Sequence, residues 1–340
     1  MNEISRVTRK AHIKFDNDTT SCYDWILPQL AAIAGRKFGL AKELVTLNNK
    51  TLRQARYKLR TALGVSDTHY SHTPARPIYG TGQGSGNSPI IWCFVSSALF
   101  SAHNEAAHGA TFATPDGRHY VKITMTGFVD DSTGQTNSFF KDPQPSPSDL
   151  QEKARQDAQL WNDLLWTSGG ALELPKCSYH AVHWEFSGYG SAYMEPNPMA
   201  PPMKLTSATG DNNRITVKRL RPNESHKTLG HYKEPSGDQH DQKRAIQNKS
   251  DTLGDQAIRS GMTRRDAWVY YFAIYLPSIT FPLANSFLSK KTLHRLTHPA
   301  TKKIAAKCGF ARTTPSAVLY GPATMGGAAF RRAYVEQGIG

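Results

Sequence analysis

The chain has 340 residues, of which 41 are Lys or Arg and 27 are Asp or Glu, for a net charge of +14. That length allows about two domains and a sizeable core. No uninterrupted run reaches the roughly 20 apolar residues that span a bilayer, so no membrane is expected among the partners. Residues 1–6 lack the apolar segment of a secretory leader. Cys22, Cys93, Cys177 and Cys308 are scattered and form no C-x-x-C pair, which argues against zinc and for free thiols in a reducing compartment. The charge is uneven. Residues 201–340 carry 22 basic against 9 acidic residues, and residues 1–200 carry 19 against 18. A basic C-terminal part suits a polyanion, most simply nucleic acid, with a plain solvated surface as the alternative.

In chain order, Ala11–Asp16 alternates apolar and polar residues and is expected as a strand. Asp24 is placed to cap a helix from Trp25 to about Arg36. A second helix is expected from Lys42 to Leu63, stopped by Gly64. Residues 65–79 are a polar loop, followed by the glycine-rich Gly80–Pro89, which feeds an apolar helix through Ser88 as N-cap and Pro89 at N1. That loop is neither a Walker loop nor the dinucleotide fingerprint, since the required Lys and third glycine are missing. Tyr120–Thr126 and Gln135–Phe140 are expected as strands of a hairpin. Ser148 and Gln151 form a capping box, and Leu150, Ala154, Ala158, Trp161 and Leu165 make the apolar stripe of the helix that follows. Further strands are expected at His183–Tyr193, and at Ile215–Leu220 paired with Lys227–Tyr232. Ala267–Leu288 is apolar but interrupted by Pro277 and Pro282, which predicts two short helices. Lys290–Lys307 is a basic helical stretch.

The chemistry concentrates in Gly127-Phe-Val-Asp-Asp-Ser132. Adjacent carboxylates at a strand end repel unless a cation sits between them, and an all-oxygen acidic pair suits Mg²⁺. A plain turn is the alternative for this dipeptide. Asp18 also falls at a strand end. If its strand neighbours that of Asp130 and Asp131, three carboxylates share one sheet edge. Such an edge could hold two Mg²⁺ ions, or Mn²⁺ in their place.

With these residues in place, the chain resembles the reverse transcriptases, and most closely the non-LTR retrotransposon type. The likeness covers roughly Ile13 to Tyr232. Asp18-Thr-Thr-Ser-Cys-Tyr-Asp24 is similar to the family's motif A, Gln83-Gly-Ser-Gly-Asn-Ser-Pro89 to motif B, and Phe128-Val-Asp-Asp131 to motif C. Gly170 to Lys176 is similar to motif D, and Lys227-Thr-Leu-Gly230 to motif E. The resemblance implies an α+β palm over residues 1–236, an antiparallel sheet backed by helices, and a mainly helical basic thumb over 237–340. It implies that Asp18, Asp130, Asp131 and the Thr19 carbonyl hold the metals. Tyr23 would lie under the sugar of the incoming dNTP, and Gln83 and Gly84 would touch nucleotide and template. Lys176 would approach the triphosphate, and Leu229 and Gly230 would belong to the primer grip. The expected partners are an RNA template, a DNA primer and dNTPs, with the basic C-terminal region on duplex backbone. No segment matches the family's fingers strands. Two rival expectations remain: a catalytically inactive nucleic-acid-binding relic, and an RNA-templated RNA polymerase, which the bulky Tyr23 disfavours.

Overall fold

The structure is a computed structural model. It describes residues 2–339 apart from 21, 76–78, 82–85, 115, 129–130, 138–145, 196–198 and 209–212, and gives only the backbone of 20, 22, 23 and 339. The fold is mixed α+β, and its contacts divide the chain into Met1–Glu224 and Ser225–Gly340.

The first unit begins with α1 (Asn2–Val7), β1 (His12–Asn17), β2 (Thr19–Thr20), α2 (Cys22–Trp25), α3 (Pro28–Lys37) and α4 (Lys42–Gln54). A ribbon of short strands follows, β3 (Arg56–Tyr57), β4 (Arg60–Thr61), β5 (Gly64–Val65) and β6 (Tyr70–Ser71), and then α5 (Ser88–Ala106). Next come β7 (Ala110–Ala113), β8 (Tyr120–Ile123), β9 (Met125–Phe128), β10 (Asp131–Asn137), α6 (Pro147–Thr167), β11 (Ala171–Leu172) and β12 (Ser178–Val182). The unit ends with β13 (Trp184–Phe186), β14 (Ala192–Met194), β15 (Lys204–Thr206), β16 (Arg214–Thr216) and β17 (Lys218–Leu220).

Its central sheet has the order β17-β12-β1-β10-β9. β1 pairs antiparallel with both β10 and β12, while β17 pairs parallel with β12. Alternation along β1 sends Ile13 and Phe15 into the core, where they join Val95 and Leu99 of α5 and Ala154, Ala158 and Trp161 of α6. Trp161 is almost wholly buried and stacks on Phe100 with ring centroids 5.1 Å apart. All five residues of the expected stripe, Leu150, Ala154, Ala158, Trp161 and Leu165, are buried.

Several boundaries differ from the sequence expectation. The helix expected from Trp25 starts at Pro28, because the ring presets helical φ but disfavours helix at the residue before it. Its N-cap is Leu27, with no side-chain cap from Asp24. The helix expected to reach Leu63 ends at Gln54, where the alternating Arg-Tyr-Lys-Leu-Arg-Thr takes over as ribbon. Ser146, rather than Ser148, caps α6 by accepting from the Asp149 amide at 3.1 Å. The stretch expected as one strand over His183–Tyr193 is the β13–β14 hairpin. Ile215–Leu220 does not pair with Lys227–Tyr232, since β17 is taken by β12.

The second unit opens with a hairpin, β18 (His226–Thr228) and β19 (His231–Lys233), followed by α7 (His240–Arg259) and α8 (Arg264–Tyr270). The hairpin is tied to α7, since the Tyr232 amide donates to Gln242 Oε1 at 2.8 Å and Ser225 Oγ to Asp241 at 2.6 Å. Leu229 and Gly230 therefore belong to this unit, and the division falls at Glu224/Ser225 rather than at 236/237. From α8 the chain continues through a π-helical turn (Tyr271–Tyr275), α9 (Leu276–Thr280) and a 3₁₀ turn (Phe281–Asn285). Arg264–Asn285 is thus one helical path of changing pitch, not two short helices. Contrary to the composition-based expectation, it is long and apolar enough to cross a membrane by length and hydropathy. Tyr271, Tyr275, Ile279 and Leu283 on this path are buried in the unit's own core, against residues of α7 and of α10 (Lys290–Lys307). α11 (Ser316–Leu319) and α12 (Ala333–Ile339) complete the unit.

Trp161 joins sheet and helices, so Trp161→Ala should destabilise the first unit by about 3–5 kcal/mol. Urea unfolding followed by circular dichroism checks this; a loss below about 1 kcal/mol would mean the indole is not at the packing centre.

Candidate functional site

The β1–β10 register pairs Asp16 with Thr133 and Asn17 with Ser132, so Asp18 and Asp131 come one step further along two neighbouring strands. The Thr133 hydroxyl donates to Asp16 at 2.9 Å, which shows that this pair shares a face. Two residues on, period-two alternation puts Asp18 and Asp131 on that same face, opposite the helices. The second carboxylate of the acidic dipeptide, Asp130, lies outside the described residues. So do Gln83 and Gly84, and the side chain of Tyr23.

Lys176 reaches the same place. Its Nζ stands 3.7 Å from Asp18 Oδ2, with both side chains about half exposed. The loop that carries it is anchored at Asp18 and at the residues just after it. The Glu173 amide donates to the Asp18 carbonyl at 2.9 Å, and β11 pairs with β2. The Glu173–Asp18 bond fixes the alternation in this ladder. Asp18 and Glu173 form a hydrogen-bonded pair, so the next pair, Thr19 and Leu172, is a non-hydrogen-bonded one. The Thr19 carbonyl therefore points away from β11.

Two further segments close on the chain just after Asp18. Gly80 adopts φ +88°, and a Cβ there would come within 2.6 Å of the Asp24 backbone. Its amide donates to the Ile26 carbonyl at 2.9 Å. The glycine-rich loop is also tied between its ends, since Ser88 Oγ donates to the Thr81 carbonyl at 3.0 Å. On the other side Gly169 has φ +98°, and a Cβ there would come within 2.1 Å of the Trp25 carbonyl. Glycine is thus needed at both positions for conformation and for close approach. Gly80 on one side and Ser168–Gly169 on the other thus close on the Asp24–Leu27 backbone.

Behind the acidic pair lies a polar network that the sequence reading missed. Asp16 is buried and accepts from Lys14 Nζ at 2.8 and 3.0 Å as well as from Thr133, with His180 Nδ1 4.0 Å away. The signal was present: Asp16 is two residues from Asp18 and so shares its face. His180 Nε2 lies 2.8 Å from the Glu224 carbonyl, and His12 Nε2 lies 2.9 Å from Asn2 Oδ1. Burial pushes His12 down to about 3 and His183 down to about 4. Beside Lys176, burial pushes the Cys177 thiol up to about 11, which keeps it protonated and inert.

The donors at this edge are carboxylates and one carbonyl, all hard oxygens, and so fit Mg²⁺ or Mn²⁺. Among the described residues no three His, Cys, Asp or Glu side chains gather closely enough to hold a metal. Leu229 and Gly230 form the two-residue turn of the β18–β19 hairpin, both with positive φ, +51° and +76°. A type I′ turn requires that, but a branched leucine adopts it only under strain. The side chain is 44% exposed, so core packing does not repay the strain.

Because His12 and His183 are held neutral, protons bind the unfolded chain first as pH falls below 6.5. Stability should be flat above pH 7 and should fall by a few kcal/mol from pH 6.5 toward 4. Urea midpoints between pH 7.5 and 5 check this, before most carboxylates titrate. A flat profile over that range would contradict the burial of the two imidazoles.

No protein-family model matches the chain, and no curated protein matches it either.

Proposed function

We propose that the chain is an RNA-directed DNA polymerase that transfers nucleotides from dNTPs to a primer 3′-OH. The observation that carries this reading is the meeting of Asp18, Asp131 and Lys176 at one end of one sheet face. It adds to the ordered likeness of five motifs to the reverse transcriptases. On this reading the central sheet with α5 and α6 is the palm, and the second unit, with 17 Lys+Arg against 7 Asp+Glu, is a thumb-like region.

Asp18, Asp131 and the Thr19 carbonyl, with Asp130, would hold Mg²⁺, which would supply the Lewis acidity that activates the 3′-OH and stabilises the departing pyrophosphate. The chain's own residues do the rest. The β1–β10 pairing fixes the spacing of the carboxylates. Lys176 exchanges its weak partner Asp18 for the triphosphate and gives a proton to the leaving group. Gly80 and Gly169 keep the nucleotide-facing loops against the Asp24–Ile26 backbone.

Primer extension on an RNA template tests this. Asp18→Asn should lower kcat at least about a hundredfold, since each 1.4 kcal/mol is tenfold and a metal ligand contributes several kcal/mol. Lys176→Ala should lower kcat by about 10²-fold with little change in KM for dNTP. Incorporation by Asp18→Asn equal to wild type would remove the proposed role.

A second reading is a nucleic-acid-binding relic without turnover. The observation favouring it is independent of the carboxylates: Lys291, Arg295 and Lys302 form one exposed stripe along α10, with His298 partly exposed between them. Salt-sensitive duplex binding with no Mg²⁺-dependent incorporation would select this reading, and any template-directed incorporation would reject it.

A further inference from the structure

Residues 56–71 form a structure that the polymerase reading does not use. β3 pairs with β6 and β4 with β5, so the segment is a two-stranded ribbon closed by a turn at Ala62-Leu63. No described residue from 41 to 75 is buried. A two-stranded ribbon without a core is marginal in water and is expected to gain its order from a partner.

The chemistry of the ribbon identifies that partner. In sequence Arg56-Tyr-Lys-Leu-Arg-Thr61 alternates, with a cation at every second position; Arg56 opens β3, Arg60 opens β4 and Lys58 lies in the two-residue link between them. Among the described residues none of the three cations has a carboxylate within ion-pair distance. Asp67 is the only acid in the ribbon. Tyr57 and Tyr70 face each other across the ladder and stack, with ring centroids 5.1 Å apart and planes 20° from parallel. Tyr70 is 61% exposed, so the stack ends in an open aromatic face.

We propose that the ribbon of residues 56–71 binds single-stranded nucleic acid, with unpaired bases continuing the Tyr57–Tyr70 stack and phosphates on Arg56, Lys58 and Arg60. In extended chain, cations at every second position are spaced about 6.7 Å apart, which suits an extended phosphate backbone. An aromatic face beside such a row is how sequence-tolerant single-strand binding is built. A duplex would engage the cations but would offer no free base to the tyrosines. The inference goes beyond the polymerase reading and does not depend on it, because binding needs neither Mg²⁺ nor dNTP.

The test is fluorescence anisotropy with the full chain, without divalent metal. It uses oligothymidylate and an abasic oligodeoxynucleotide of equal length, about 16 nucleotides. The wild type should bind the base-bearing strand at least about tenfold more tightly than the abasic one. Tyr57→Ala with Tyr70→Ala should erase that preference, and Tyr57→Phe with Tyr70→Phe should keep it. Replacing Arg56, Lys58 and Arg60 by Gln should lower the log–log salt slope for single strands by about 2. Far-ultraviolet circular dichroism should be unchanged, since no buried residue is touched. Equal binding of abasic and base-bearing strands by the wild type would overturn the proposal in favour of a general polyanion surface. Retention of the preference by the alanine pair, or an unchanged salt slope in the Gln triple variant, would also overturn it. Loss of incorporation by Asp18→Asn has no bearing on these readouts, so the two readings fail separately.

Discussion

The antiparallel pairing of β1 with β10 is the constraint on which the rest of the first unit depends. It joins residues more than a hundred positions apart and carries two opposite demands on one strand. Ile13 and Phe15 must face the helices, while Asp16 and Asp18 must face away from them. A slip of one residue would invert both sets, sending Asp16 among Val95, Leu99 and Trp161. Register is therefore set by the cost of burying a carboxylate in an apolar layer. Side-chain bonds across the pair reinforce it. Thr133 donates to Asp16 and Ser132 to the Asn17 side-chain carbonyl, and a Cβ on Gly134 would crowd Met125 Sδ at 3.2 Å. Asp157 on α6 holds the far end of β10 by accepting from Thr136 at 2.7 Å and from the His108 and Gly109 amides.

Much of this was legible because period and composition agree. The α6 stripe and the first strand follow from apolar spacing; the hairpin expected between Tyr120–Thr126 and Gln135–Phe140 is instead Met125–Phe128 paired with Asp131–Gly134, with Tyr120–Ile123 taken by β7. The meeting of Lys176 with Asp18 was not legible. It depends on β11 pairing with β2 and on a carbonyl–amide bond at Glu173, neither of which has a side-chain signature. The ribbon was misread for a different reason. Lys42–Leu63 has enough helix-forming residues to satisfy propensity, but its last third alternates with period two. That alternation was the weaker signal only because no apolar core accompanies it. Likewise Ser148 offered a valid cap one turn-position late, and Pro147 at the helix start settled the matter for Ser146.

The second unit is organised by tyrosine hydroxyls as much as by apolar packing. Tyr270 donates to the Leu253 carbonyl at 3.0 Å, Tyr275 to that of Thr297 at 3.1 Å, and Tyr271 to that of Arg331 at 3.0 Å. Each bond ties the Arg264–Asn285 path to a different segment of the same unit. Burial pushes the Tyr271 hydroxyl well above its ordinary range, in keeping with a neutral donor. Close helix contact adds to this: a Cβ on Gly254 of α7 would come within 2.8 Å of the Ala300 methyl on α10. A stretch with the hydropathy of a membrane span is thus given polar partners at three of its rings. Leu229 at the hairpin tip departs from this pattern, with positive φ and an exposed side chain that no core packing supports.

The two carboxylates of the first strand show how sequence neighbours can be given different work. Asp16 is sealed from solvent and accepts from Lys14 on both oxygens and from Thr133 on one, so removing Lys14 would leave a buried carboxylate without its cation. Asp18, two residues on and on the same face, sits half exposed with a lysine at 3.7 Å. An ion pair that long and that open is worth little. Both groups can therefore exchange partners at small cost. The same face thus divides into an inner, buried part tied by hydrogen bonds and an outer part open to solvent. The boundary between them lies where β1 passes from Asn17 to Asp18, at the point where its last partner on β10 is Ser132.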